Sequence, residues 1–283
     1  MPLISLNVLA IPFSKIMAFL AVHTSDSQVR RAVSDALWMD HALARSSSWR
    51  RTVRLVAERP LTGVVLDAER IPSDVGLMPA VAELSERFPS LWLVLVARSG
   101  TDPWGLFRLG RAGLEGLVLT HLDELRSGVS RAIRTGFARS TEALVTRAIS
   151  AYLPARGVRA VRLALRGAQL GWTTDQLAER AGFSRAHFSA RLKATGLPST
   201  GHLLGWARLL HAGRWLSDPG RTGESVSRQL GYSSGAAFRR ALRNYTGATP
   251  MAIREAGGLE PVLDTFLGVC QFATSEPADL SVA

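Results

Sequence analysis

The chain has 283 residues, 47% of them hydrophobic, with a formal net charge of +11; this suits about two folded domains and excludes a wholly disordered or collagen-like chain. Its one cysteine, Cys270, excludes a disulfide or a cysteine-built metal site within one chain and fits a reducing, cytoplasmic setting. The charge is uneven. Residues 1–140 hold 17 basic and 13 acidic side chains, residues 141–257 hold 17 and 6, and residues 258–283 hold four acids and no Lys or Arg. The middle stretch alone carries the whole excess, a field that attracts polyanions. Only Lys15 and Lys193 are lysines, so arginine is a habit of the chain before it is a choice at any one site.

The N-terminus is apolar from Pro2 to Val22, broken by Asn7, Ser14 and Lys15. It lacks a basic leader and a small-residue cleavage site, and Pro12 and Lys15 interrupt it as a membrane span. Its second half reads as a buried strand, Ala18–Val22. A start at Met17 would make residues 1–16 an over-long reading of the gene. Helix Ser27–Trp38 follows, with Asp26 as cap. Then come a weak strand at Ala42–Ser46, helix Trp49–Glu58 closed by Pro60, and strand Gly63–Leu66 ending at Asp67. Helix Met78–Phe88, strand Leu91–Val96, short helix Pro103–Leu109, strand Gly116–Leu119 and helix Leu122–Thr135 complete the set. Short apolar strands alternating with helices imply a parallel sheet covered on both faces.

This five-strand pattern, over Ala18–Thr135, resembles a response-regulator receiver domain, which has a flavodoxin-like fold. In that family the strand ends hold a phosphate and a magnesium ion. Asp67 stands where the phospho-accepting aspartate would be. The rest of the site departs from the family: His23 and Thr24 replace the acidic pair, with Asp26 slightly late, Ala97 and Arg98 replace the Ser or Thr, and Thr120 replaces the Lys. The expectation is therefore a degenerate, pseudo-receiver domain. A two-component response regulator phosphorylated on Asp67 is the alternative. No Gly-rich phosphate loop follows the first strand, so a dinucleotide site has little support.

Phe137–Tyr152 reads as a linker helix with Leu144, Val145, Ala148, Ile149 and Tyr152 on one apolar face, ended by Pro154 and Gly157. It either packs on its own domain or forms a dimer contact. From Val158 the chain is all-helical. Two segments resemble each other, Thr173–Gly196 and Thr222–Gly247. Each has a short helix, then Gly–aromatic–Ser (Gly182-Phe183-Ser184; Gly231-Tyr232-Ser233), then a longer basic helix. Phe188 and Leu192 in the first and Phe238 and Leu242 in the second sit four apart, on the inward face of their helices. Between the units, Gly201–Leu216 reads as a long connecting helix, and Pro219-Gly220 breaks the chain.

These motifs, LAERAGFSRAHFSARLKATG, WARLLHAGRWL and LGYSSGAAFRRALRNYTGATP with the closing Pro250, Ile253 and Arg254, resemble the AraC/XylS-type DNA-binding domain over Gly157–Gly257. The resemblance implies two helix-turn-helix units on double-stranded DNA, each recognition helix in a major groove, and activation through contact with RNA polymerase. Carried over by position, the DNA face of the first recognition helix, Ser184–Ala194, holds Ser184, Arg185, Ala186, Ser189, Ala190 and Lys193. That of the second, Ser234–Asn244, holds Ser234, Gly235, Ala236, Arg239, Arg240 and Arg243. Ala186, Ala190, Gly235 and Ala236 depart from the larger polar residues common there. Base reading then falls to Arg185, Arg239 and Arg240, with DNA shape filling in.

The expected division is residues 1–136 as an α/β regulatory domain, 137–156 as linker helix, 157–257 as the DNA-binding domain and 258–283 as a tail. Pro261–Phe272 is a possible last helix, and the stretch after Ala273 is expected to be disordered. His187, His202 and His211 fit no metal-ligand spacing, and no nucleophile–base–acid set is legible. The reading is of a non-enzyme with no cofactor, no metal and no membrane partner, and with a homodimer contact through the N-terminal domain or the linker helix.

Overall fold

The computed structural model describes residues 19–37, 42–98, 103–120 and 124–270; expectations for the segment before Phe19 and after Cys270 lie outside these. The first half alternates β1 (Phe19–His23), α1 (Ser27–Ala36), β2 (Ala42–Ser46), α2 (Trp49–Glu58), β3 (Leu61–Asp67), α3 (Leu77–Arg87), β4 (Trp92–Ala97), α4 (Pro103–Arg111), β5 (Gly116–Leu119) and α5 (Leu125–Phe137). The strands form one parallel sheet in the order β2-β1-β3-β4-β5, which is the flavodoxin-like order. Strand alternation sorts the core. Trp92, Val94 and Val96 face α1 and α5, while Leu93, Leu95 and Ala97 face α2, α3 and α4. Both faces are dry, which is why these strands are apolar at nearly every position.

The second half is helical: α6 (Thr141–Ile149), α7 (Ala155–Gln169), α8 (Thr174–Arg180), α9 (Arg185–Lys193), α10 (Thr200–Leu216), α11 (Gly223–Gln229), α12 (Gly235–Thr246), α13 (Pro250–Glu255) and α14 (Leu259–Val269). Three expectations need correction. The expected linker helix starts only at Thr141, because α5 runs on to Phe137 and the Ser140 hydroxyl caps a new helix by accepting from Ala143 N at 3.2 Å. Pro154 and Gly157 do not end a helix. Pro154 is the N-cap of α7 and Gly157 lies inside it; a proline before the first turn loses no hydrogen bond, since its N–H would have no partner there. Nor does the helical core stop at 157 or 257. Val145, Ile149 and Leu153 before it and Leu259, Val262, Phe266 and Cys270 after it belong to the same cluster as α10. The apolar face of α6 is therefore covered within the chain at Val145 and Ile149, while Leu144 and Ala148 are half-buried and Tyr152 is exposed.

The two halves touch at the N-terminal edge of the sheet, the end opposite Asp67. There Gly220 N donates to the carbonyl of Arg87 at 2.7 Å, and Asp218 accepts from Ser90. A Cβ on Gly220 would collide with the Phe88 ring. No helix among the described residues is long and apolar enough to cross a membrane.

Candidate nucleic-acid interface

The two helical repeats share the same capped turn. Thr173 caps α8, accepting from Gln176 N at 3.2 Å while its own N–H donates to Gln176 Oε1 at 3.0 Å. Thr222 caps α11 by accepting from Ser225 N at 3.1 Å. Each short helix ends on a glycine with positive φ, Gly182 at 80° and Gly231 at 73°, a conformation that a Cβ would strain. In each turn the glycine N–H and the following aromatic N–H bond back, to Glu179 and Ala178 in the first and to Arg228 and Ser227 in the second. Ser184 then caps α9 through His187 N at 3.3 Å, and Ser234 caps α12 through Ala237 N at 3.1 Å. The second unit has one extra turn residue, Ser233.

Phe188, Leu192, Phe238 and Leu242 are buried as the spacing predicts. On the opposite faces Ser184, Arg185, Ala186, Ala190 and Lys193 of the first unit are exposed, as are Ser234, Ala236, Arg239, Arg240 and Arg243 of the second. Two expected face residues are placed differently. Ser189 is half-buried, and its hydroxyl is engaged with Thr200, at 2.8 Å to Oγ1 and 3.2 Å from the amide N, so it ties α9 to the start of α10. Gly235 is buried, because the Glu224 carboxylate of α11 occupies the space a side chain would take. Sequence reasoning missed Glu224 and Asn244. It also missed Arg191, whose guanidinium lies 4.8 Å over the Phe183 ring. The register of α9 puts Arg191 beside the inward Leu192, so only the packed turn shows that it is exposed.

The connecting helix α10 fixes the distance between the units. Gly205 leaves room for the Tyr245 hydroxyl of α12, and the Tyr245 ring meets Trp206 edge-on at 5.1 Å. Between the units lies a cleft of about 950 Å³. Ala190 and Lys193 of α9 line one side, Asn244 and Tyr245 of α12 the other, and Ser199 and His202 stand at its floor where α10 begins. The C-terminal parts of the two basic helices thus border one opening. Residues 177–256 match the helix-turn-helix domain family. This helix-turn-helix domain is the part expected of a DNA-binding transcription regulator, and it holds the first repeat from Leu177 onward, all of α10 and the whole second repeat.

No curated protein matches the chain. Among solved structures it is similar to the isolated receiver domain of RcsB from Salmonella enterica serovar Typhimurium, at 13% identity, 42% of this chain, 87% of that one and a TM-score of 0.36. It is also similar to the RcsB response regulator of Salmonella typhimurium, at 14% identity, 67% of this chain, 98% of that one and a TM-score of 0.36. Full-length FixJ from B. japonicum gives 14%, 67%, 95% and 0.36. Superpositions this loose carry no argument; the sheet order itself makes the first half flavodoxin-like.

At the other end of the sheet, Asp67 is buried at the tip of β3. Its Oδ2 accepts from Thr24 Oγ1 at 2.6 Å and its Oδ1 from Glu69 N at 3.2 Å. His23 is buried, with its ring nitrogens 2.8 Å from Thr52 Oγ1 and 3.0 Å from the Arg70 carbonyl. Arg98 reaches over this edge to Asp26 at 2.8 Å and to Glu69 at 3.5 Å. Burial opposes charge on Asp26, but the Gln28 and Val29 amides and Arg98 outweigh it and hold its carboxyl below the usual range. These residues do not suit magnesium. The neighbouring carboxylates are already bridged by a guanidinium, and among the described residues no three His, Cys, Asp or Glu side chains are grouped to hold a metal.

Of the histidines, His211 is a core residue. Its Nε2 lies 3.1 Å from the Leu165 carbonyl, its ring stacks on Trp215, and burial pushes its pKa down to about 4. The Cys270 thiol is pushed up to about 12 by burial, so it is a packing group rather than a reactive one.

Proposed function

We propose that the chain is a sequence-specific transcription regulator of the AraC/XylS type, and that α9 and α12 enter successive major grooves on one face of a duplex. The observation that supports this is the shared cleft: two capped, arginine-bearing helices border one opening, with their apolar sides fixed in a common core. Arg185 of the first unit and Arg239, Arg240 and Arg243 of the second supply side chains long enough to pair with guanine O6 and N7. Lys193 and the capped helix starts grip phosphates. The alanines of both faces make few hydrogen bonds, so DNA shape carries part of the recognition. In this reading the protein is cytoplasmic, activates by contact with RNA polymerase, and dimerises through the N-terminal domain or the linker helix. The N-terminal domain works as a pseudo-receiver without phosphorylation, since Asp67 is buried and bonded to Thr24, and the neighbouring Asp26 and Glu69 are taken up by Arg98.

The test is to sequence the genomic fragments that the purified chain retains and then to footprint the best of them. Two protected stretches about one helical turn apart are expected, with affinity falling by a log–log salt slope of about −5 for roughly six phosphates. Equal affinity for random DNA would sink the specific reading. Phosphate incorporation from a small phosphodonor that is lost in Asp67→Asn would overturn the pseudo-receiver reading.

A further inference from the structure

The turn between α10 and α11, from Ser217 to Thr222, leaves the helical domain and plugs into the base of the parallel sheet. Asp218 and Arg221 are both fully buried there and pair at 2.8 Å through Arg221 Nε. Asp218 also accepts from Ser90 N at 2.7 Å and from Ser90 Oγ at 2.6 Å. Arg221 Nη1 donates to the Arg59 carbonyl at 2.8 Å and to Gln229 Oε1 at 3.3 Å, and the guanidinium lies 5.6 Å over the Phe88 ring. Arg214 Nη2 adds a longer bond to the Ser90 carbonyl at 3.4 Å.

Burial pushes Asp218 up, against the pull of Arg221 and Ser90, and pushes Arg221 down. Removing two charges from water is expensive, and their attraction roughly offsets that loss. As glue, then, such a pair is poor. As a locator it is good, because the bonds to Ser90 and to the Arg59 carbonyl cross between the domains and are met together in only one placement of the two.

That placement bears most directly on the second repeat, although Arg254 of the helical domain also holds the turn, donating to the Leu216 carbonyl at 2.8 Å and the Arg221 carbonyl at 2.6 Å. Arg221 directly precedes Thr222, the cap of α11, and α11 carries α12 through the Gly231 turn. The exposed faces of α9 and α12 stay open while the turn is docked, so the contact braces the second unit and does not cover it. We propose that the base of the sheet is a positioning surface for DNA reading. Ser90, the Arg59 carbonyl and the buried Asp218–Arg221 pair set the second helix-turn-helix unit in phase with the first. This rests on the DNA-binding reading above.

The test uses the full chain. Ser90→Asp sets a second carboxylate against Asp218 from the N-terminal domain, well away from any DNA-facing side chain. Each half of the footprint is then titrated separately. The concentration needed to protect the second stretch should rise tenfold or more, while that for the first stays within twofold. Ser90→Ala, which removes one bond only, should move the second stretch in the same direction by about threefold. Adding Asp218→Asn to Ser90→Asp returns one carboxylate to Arg221 and should restore the second stretch. Loss of both stretches together, or a shift in neither, would overturn the inference, since a merely structural role lowers both alike. Failure of the unaltered chain to protect any sequence would instead overturn the DNA-binding reading itself.

Discussion

The two helix-turn-helix units share caps, turns and core anchors, yet they are held in different ways. The first leads in from Trp172, which is fastened inside its own domain. The Trp172 carbonyl accepts from Arg208 Nη2 at 3.2 Å, and the Arg180 guanidinium lies 5.2 Å over its ring. The second leads in from a turn seated in the neighbouring domain through Asp218, Gly220 and Arg221. One pattern of residues therefore has two mechanical supports: the first is internal, and the second is borrowed in part, adding the neighbouring domain to the internal bonds of Arg254 to the Leu216 and Arg221 carbonyls. The local fold of each unit comes from its own sequence, while the turn leading into the second also meets a residue 128 positions earlier in the chain, the separation of Ser90 from Asp218.

The largest effects that would break this comparison are in the core. Phe188→Ala and Phe238→Ala should each cost about 3–5 kcal/mol. Phe238→Ala should be the more severe, because its ring is the more deeply buried and packs against Tyr232 at 5.4 Å. Urea unfolding of the two variants checks this, and a milder Phe238→Ala would reverse the ranking.

Acid should act on both units at once through His211 of the connecting helix. The unfolded ring takes up a proton near pH 6.5, the folded ring only near 4. Stability is therefore present above 6.5 and is lost as pH falls from 6.5 to about 4, by roughly 3 kcal/mol at about 1.4 kcal/mol per unit. Asp218, raised by burial, acts with the opposite sign and within the carboxylate range. Melting curves of the unaltered chain and of His211→Gln separate the two: in the variant the decline between 6.5 and 4 should flatten.

Smaller effects sharpen the functional side. Arg239→Ala or Arg240→Ala should weaken specific binding by about 1–3 kcal/mol where the side chain reads a base. An equal loss on random DNA, seen by gel shift, would assign that arginine to phosphate. The smallest shift is at the caps. Ser184→Ala and Ser234→Ala should each cost about 1 kcal/mol by thermal melting, and unequal losses would show that the borrowed support reaches as far as the start of α12.

Much of this was legible in the residues because local rules dominate. Helix Trp49–Glu58 and strands Ala42–Ser46 and Gly116–Leu119 lie where periodicity and turn residues put them. The inward phenylalanines and leucines of both units follow from their spacing. What sequence could not supply is what distant parts of the chain bring together. Nothing around Gly235 announces that Glu224 fills its space, or around Ser189 that its hydroxyl belongs to Thr200. The stretch from Ser217 to Thr222 reads as a polar turn broken at Pro219-Gly220, and its buried charges become visible only once Ser90 and Arg59 are set beside it. The extent of α7 was misjudged for a local reason. Proline can open a helix as readily as close one, and Pro154 opens it.

The single added residue Ser233 has a practical consequence for anyone wishing to exchange recognition helices between the units, or to graft one from elsewhere. Each helix takes its phase from its capping serine, Ser184 or Ser234, and not from the glycine before it. A cassette aligned on Gly182 and Gly231 would shift every following side chain by one position, a rotation of about 100° on an α-helix, and would turn arginines meant for a groove toward the core. Aligned on the serines, Phe188 falls on Phe238 and Leu192 on Leu242, and the exposed Ala186, Ala190 and Lys193 fall on the exposed Ala236, Arg240 and Arg243.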